Sequence, residues 1–205
     1  DGIELWVADA QTGLAKALTG PIINATLNSG FQWLPGSEHL LAYIIDTKRG
    51  NPPEKPSAPT GPNIQETGGR VAKVRTLQDL LKNPYDEALF DYYATSQIRE
   101  INATSGDFRH VGTPAIHLYA DPSPDGKYLL VHKIKRPYSY MVSYYSFPHT
   151  MEIWDRSGEM VHLFADVPLA DNIPIRGVRK GPRSIDWRPL EPSTLVWAEA
   201  LDEGD

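Results

Sequence analysis

The segment Met151–Phe164, MEIWDRSGEMVHLF, constrains this chain most, because the chain repeats it. Met151–Trp154 is a short run of strand-forming residues, Asp155-Arg156-Ser157-Gly158 is a polar turn closing on Gly, and Met160–Phe164 is a second apolar run. This pattern predicts a β-hairpin with glycine at a position of positive φ. A near copy opens the chain: Glu4-Leu5-Trp6-Val7, then Asp9–Gly13, then Leu14–Leu18. A weaker copy spans Ile98–Val111 with Ser105-Gly106 at its turn. Glu-(Leu/Ile)-Trp precedes the Asp of the turn in the two strong copies, and recurrence at this level points to a repeat architecture.

A second kind of hairpin alternates with the first. Phe31–Leu34 and Leu40–Ile45 flank Pro35-Gly36-Ser37; Ile116–Ala120 and Tyr128–Val131 flank Ser123-Pro124-Asp125-Gly126; Ser184–Trp187 and Thr194–Trp197 flank the turn from Arg188 to Ser193. One opening and one closing hairpin make a four-stranded unit, the blade of a β-propeller. The expected fold is therefore all-β. It is a partial propeller of roughly three blades: residues 1–19 end one blade, 31–111 form a blade with an insertion at 46–93, 116–164 form a clean blade, and 184–205 begin another. Such a set is too small to close a ring of about four to eight blades, so the chain reads as a piece of a larger protein whose open edges could also support self-association.

The first half of the insertion carries Pro52, Pro53, Pro56, Pro59 and Pro62, which excludes a ladder or a helix interior and predicts an extended, solvated stretch. Its second half predicts two short helices. Thr76 caps the first, with Leu77, Leu80 and Leu81 on one face; Asn83 caps the second, with Pro84 at its first position, Asp86 and Glu87 in its first turn, and Leu89, Phe90 and Tyr93 facing inward.

Composition narrows function mainly by exclusion. A net charge of −6 argues against general attraction to nucleic acid or anionic membrane, and no window approaches the length of a membrane span. Cys is absent, which removes thiolate metal sites and Cys nucleophiles. No Ser has Gly two positions before it, so the Gly-x-Ser-x-Gly nucleophile turn is missing. The six His show no metal-ligand spacing and read as structural strand residues, and Asp121–Gly126 reads as a tight turn rather than a calcium loop. No cofactor or metal is expected. The sequons at Asn24 and Asn102 sit near turns where Asn and Thr are common anyway.

Two groups remain as candidate binding residues. Arg176, Arg179, Lys180, Arg183 and Arg188 crowd thirteen positions that hold a single acid, Asp186. They read either as a solvated loop or as an anion site with bidentate Arg contacts. Arg136-Pro137-Tyr138-Ser139-Tyr140, followed by Tyr144, Tyr145 and Phe147, is either packing or a peptide-contacting rim.

Several stretches resemble the glutamyl endopeptidases of the prolyl oligopeptidase type, found in chloroplasts and bacteria. They include Val74–Leu81, Tyr85-Asp86 with Leu89–Ala94, Lys127–Val131, Arg136–Ser139, Pro168–Ala170, Ile173–Ile175, Val178–Gly181, Arg183–Ile185 with Trp187-Arg188, and Pro192–Glu199. The resemblance implies an N-terminal propeller followed by a C-terminal α/β-hydrolase domain with a Ser-Asp-His triad that cleaves peptides after Glu without a metal. This chain matches only part of that propeller, so no catalytic role transfers to it. The implied role is to gate access of peptide substrate to the hydrolase domain. Beyond the resemblance, the positive charge of Arg179, Lys180 or Arg183 is expected to attract the acidic side chain. Plant members imply plastid stroma, and bacterial ones periplasm or cytoplasm. A stand-alone TolB-like or WD-type propeller that binds protein partners is the alternative; it would lack the insertion, the Arg136–Tyr140 loop and the basic cluster.

Overall fold

In the computed structural model, residues 2–57, 77–173 and 177–201 are described. Their architecture is all-β and antiparallel, with one α-helix. Hairpin β1 (Trp6–Ala8) and β2 (Ala15–Ala17) stands at one end. Seven strands follow in unbroken order: β3 (Phe31–Trp33), β4 (His39–Ile44), β5 (Ser96–Asn102), β6 (Phe108–Pro122), β7 (Tyr128–Ile134), β8 (His149–Asp155) and β9 (Met160–Val167). Hairpin β10 (Arg183–Trp187) and β11 (Leu195–Ala198) stands at the other end. All six hairpins expected from the sequence are present.

The long strand β6 is shared. Its first half pairs with β5 and its second half, from Ile116, with β7. The seven strands therefore act as two four-stranded sheets, β3 to β6 and β6 to β9, curled so that they face each other in a propeller-like way. Period-two alternation then buries both faces of the middle strands. Leu41 and Tyr43 of β4 meet Leu129 and Val131 of β7 and Trp154 of β8 between the two sheets. Ala42 and Ile44 turn the other way, toward Leu5 and Ile23 beside the first hairpin. Leu130 and Met151 pack outward against Ile185 and Trp187 of β10.

The turns follow from local chemistry. Asp9, Asn102 and Asp155 each use a side-chain oxygen to accept backbone N–H groups two or three residues on, and each turn closes on Gly at positive φ. Asn102 is thus an Asx-turn residue in the weaker copy. Asn24 is buried and holds Tyr93 O and Thr95 O through its amide.

The insertion lies between β4 and β5. Helix α1 (Pro84–Ala94) has the expected Asn83 cap, its oxygen accepting from Asp86 N at 3.0 Å. Tyr93, expected to face inward, is 46% exposed; Phe90 is the residue that packs against Val142 and Phe147. The first expected helix does not form over the described part, Leu77–Lys82, and its proposed cap Thr76 lies outside the described residues. Asp79 has a φ of 57° and the Lys82 N–H is taken by Asp86 of the next helix, leaving too few residues to nucleate a turn.

Where β6 passes between sheets the backbone is tightly enclosed. Gly112 has a φ of 62°, and a Cβ there would lie 2.3 Å from the Trp154 ring. A Cβ on Gly158, at φ 90°, would lie 1.8 Å from Gly112 N. Arg156 from the same turn grips both carboxylate oxygens of the buried Glu100 on β5, and Arg109 adds to that pair. Gly158→Ala should cost at least about 2–3 kcal/mol of unfolding free energy by urea denaturation. Gly106→Ala meets only the φ penalty, since nothing lies within 4 Å of its Cβ position, and should cost about 1 kcal/mol. Equal losses would show that the crossing tolerates a side chain.

His117 lies in the same interior, 1% exposed, its Nδ1 3.2 Å from the Ser96 hydroxyl and its ring edge-on to Trp154. Burial above all, then Lys133, pushes its pKa down to about 4. The folded state keeps it neutral while the unfolded chain protonates near the ordinary value of 6.5. Its contribution is therefore fully present above about pH 6.5 and is lost as pH falls toward 4. Replacing it in His117→Gln should flatten the fall of the urea midpoint across that window; an unchanged slope would place the titration elsewhere.

Candidate functional site

A collection of ionisable side chains lies on the seam between the β6 to β9 sheet and strand β10. Register puts it there. Tyr119 on β6 is paired directly with His132 on β7, and Ile134, two residues on, is paired with His149 on β8. Tyr119, His132 and His149 thus share one face of the sheet. A bulge between His117 and Tyr119 sets this face apart from that of the buried His117.

The three rings form a stack. Tyr119 and His132 lie 4.0 Å apart between centroids, with the phenol oxygen 2.8 Å from His132 Nε2, and His149 stacks on His132 at 6.0 Å. At the end of this column Arg179 donates from Nη1 to His149 Nε2 at 3.2 Å and from Nη2 to Pro182 O at 3.1 Å. His149 Nδ1 lies 2.9 Å from Phe147 O. A carbonyl can only accept and a guanidinium can only donate, so His149 must be the neutral tautomer with its proton on Nδ1.

Electrostatics agree with that assignment. Burial, then His149 and Arg179, lowers the His132 pKa to about 3, and burial also lowers that of His149. Burial raises the Tyr119 phenol. Asp121, two residues along β6 and half-buried, is pushed up to about 6, first by burial and then by Asp186 of β10. Arg179 is lowered by burial and by the neighbouring Arg183, while Tyr119 works the other way. The seam therefore holds neutral histidines, a carboxyl that resists ionisation, and two adjacent guanidiniums.

The basic cluster expected from the sequence divides. Arg179 and Arg183 come together at this seam, Lys180 is exposed, Arg188 pairs with Glu191 at 3.7 Å, and Arg176 lies outside the described residues. The Arg136–Tyr140 loop meets helix α1 instead. Arg136 bonds Glu87 and, at 2.5 Å, Asp91; Tyr138 donates to Asp91, and Tyr140 to Glu87 at 2.8 Å. These contacts, led by the bond to Asp91, raise the Arg136 pKa. A cavity of about 380 Å³ opens beside this contact, lined by Leu80, Leu81, Phe90, Val142, Tyr144 and Phe147.

Sequence reasoning did not single out Tyr119, Asp121, His132 or His149 for this site. The available signal was weak: Tyr119 and Asp121 alternate on β6 with period two, but their pairing partners depend on a bulge that the sequence does not mark. Chemically the seam can bind and orient. The Ser96–His117 pair, buried at 3% and 1%, cannot meet a substrate. Among the described residues no group of His, Asp and Glu is arranged to hold a metal ion.

No family model matches the chain. Two curated plant proteins do, both named "Probable glutamyl endopeptidase, chloroplastic". The one from Oryza sativa subsp. japonica is 47% identical over 209 residues, covering 99% of this chain, and the one from Arabidopsis thaliana is 46% identical over 207 residues, covering 98%. The chain spans only about a fifth of their length, 22% and 21%. Identity at that level over 98–99% of the chain makes it a homologue of one segment of the proteins named glutamyl endopeptidase.

Proposed function

We propose that this chain is a non-catalytic, propeller portion of a serine endopeptidase that cleaves peptides after Glu, and that it controls which peptides reach a C-terminal α/β-hydrolase domain. The end-to-end identity with proteins named glutamyl endopeptidase carries this reading. In blade terms, β3 to β6 and β6 to β9 are two complete blades, β1–β2 closes one before them, and β10–β11 opens one after. The plant relatives are named chloroplastic, which favours a plastid setting.

The insertion is the element best suited to gate access. Helix α1 is held by one arginine whose two ends meet carboxylates four residues apart on the helix, each carboxylate also bonded to a tyrosine. Arg136 is 51% exposed, so each of these ion pairs contributes only about 0.2–1 kcal/mol and can open. In this reading Arg136, Tyr138 and Tyr140 hold the gate, while Arg179 and Arg183 remain for substrate.

In the full-length protein that carries residues 1–205, Glu-containing peptides should be hydrolysed after Glu. Arg136→Ala should raise kcat/KM for a peptide of about thirty residues over that for a short one by about two- to thirtyfold, the population shift expected from losing two exposed pairs. No hydrolysis after Glu by the unmodified protein would sink the peptidase reading. An unchanged length preference would remove the insertion from the gate.

A further inference from the structure

We infer that Arg183, with Arg179 beside it, forms a carboxylate-binding site at the seam between the β6 to β9 sheet and β10, and that the carboxylate it reads is the acidic side chain of a bound peptide. This deepens the proposed function and rests on it for the identity of the peptide.

The first observation is unbalanced charge. Arg109 and Arg156 share Glu100, Arg136 has Glu87 and Asp91, and Arg188 has Glu191. Arg179 and Arg183 are half-buried, close enough for the charge of Arg183 to disfavour that of Arg179, and neither forms an ion pair with any described carboxylate. Arg179 spends its donors on a neutral histidine nitrogen and a carbonyl, which fixes its plane without neutralising it. The buried Nη1 of Arg183 has no hydrogen-bond partner among the described residues. Two partly desolvated cations side by side are costly unless an anion joins them.

The second observation is backbone geometry. Ser184, directly after Arg183, has a φ of 51°, uncommon for a residue with a side chain, and the pairing of β10 with β11 slips between Arg183 and Asp186. Ile185 and Trp187 keep their places in the apolar contact with the sheet, and Trp187 Nε1 donates to Asp121 O at 3.0 Å. The bulge thus changes the setting of Arg183 without disturbing the anchor that follows it, which is how bulges re-aim functional side chains.

The third concerns the nearby acids. Burial and then Asp186 across the seam hold Asp121 toward its neutral form, and the Asp186 side chain accepts from Trp187 N. Both leave the guanidiniums to an incoming group. A carboxylate fits the paired forks better than a neutral amide, because the charge-assisted bidentate contact is lost with the amide.

The test uses the full-length protein and two matched peptides, one with Glu and one with Gln before the scissile bond, together with glutarate as a free carboxylate probe. Arg183→Gln should lower kcat/KM for the Glu peptide by about tenfold or more, the weight of one charge-assisted contact, and leave the Gln peptide within about twofold. Arg183→Lys should recover part of the preference, and glutarate should inhibit the unmodified protein more strongly than Arg183→Gln. Equal losses on both peptides, or an unchanged Glu preference with unchanged glutarate inhibition, would overturn the site. An unchanged preference with weakened glutarate binding by calorimetry would keep the carboxylate site but overturn the peptide side chain as its source, assigning it to a free dicarboxylate. Should the unmodified protein hydrolyse neither peptide, calorimetric loss of glutarate binding in Arg183→Gln would still support the site while the peptidase reading fails.

Discussion

One contact underlies the arrangement of the sheets: the Trp154 ring lying over Gly112, with the Gly158 turn closed against the same stretch of β6. At that point the chain leaves one sheet and begins the next, and no side chain fits between ring and backbone. The indole cannot be buried there unless its N–H is satisfied. It donates to Glu152 two residues earlier on the same strand at 2.7 Å, and Glu152 in turn takes Thr150 and Lys133. The Glu-(Leu/Ile)-Trp recurrence is therefore the chemistry of placing an indole on a sheet face. Trp6 donates to Glu4 in the same way, and Trp197 reaches Glu199 from the opposite direction along its strand.

Much of the architecture was legible for that reason. Alternating apolar residues ended by Asx-capped, glycine-closed turns leave little choice but hairpins, so strands and turns followed from local chemistry. Helix α1 was legible through Asn83, Pro84 and the acidic first turn. The Leu77–Lys82 segment misled because its leucine spacing fits a helix, whereas the next helix's start takes its last N–H. Tyr93 misled for a related reason: helical periodicity locates a face, but Asn24 and Thr26 hold the end of the helix through the Tyr93 carbonyl, and the ring turns to Tyr92 instead.

The seam was only half legible. An excess of cations in residues 176–188 is visible in the sequence, but which of them converge is decided by a bulge at Ser184 and by register on β6 and β7. Period-two reasoning presumes regular ladders, and each bulge resets it. Tyr119, His132 and His149 therefore look like ordinary strand residues in the sequence. Only pairing brings their rings into a column with Arg179 at its end.

The fold distributes its strength unevenly, and that distribution supports the division of roles. Between the sheets, Glu100 is 7% exposed and held from two sides by Arg156 and Arg109, so losing both partners there would strand a buried charge. At helix α1 the same residue types meet in solvent, with Asp91 39% and Arg136 51% exposed, where such pairs are weak and screened by salt. Helix α1 buries a single residue fully, Ala94, and leans on the sheets through Phe90. Local opening should therefore begin at helix α1 while the facing sheets persist. Under the proposed function, a scaffold that stays fixed around the Arg179–Arg183 seam while helix α1 opens would admit a peptide without losing the geometry that would recognise it.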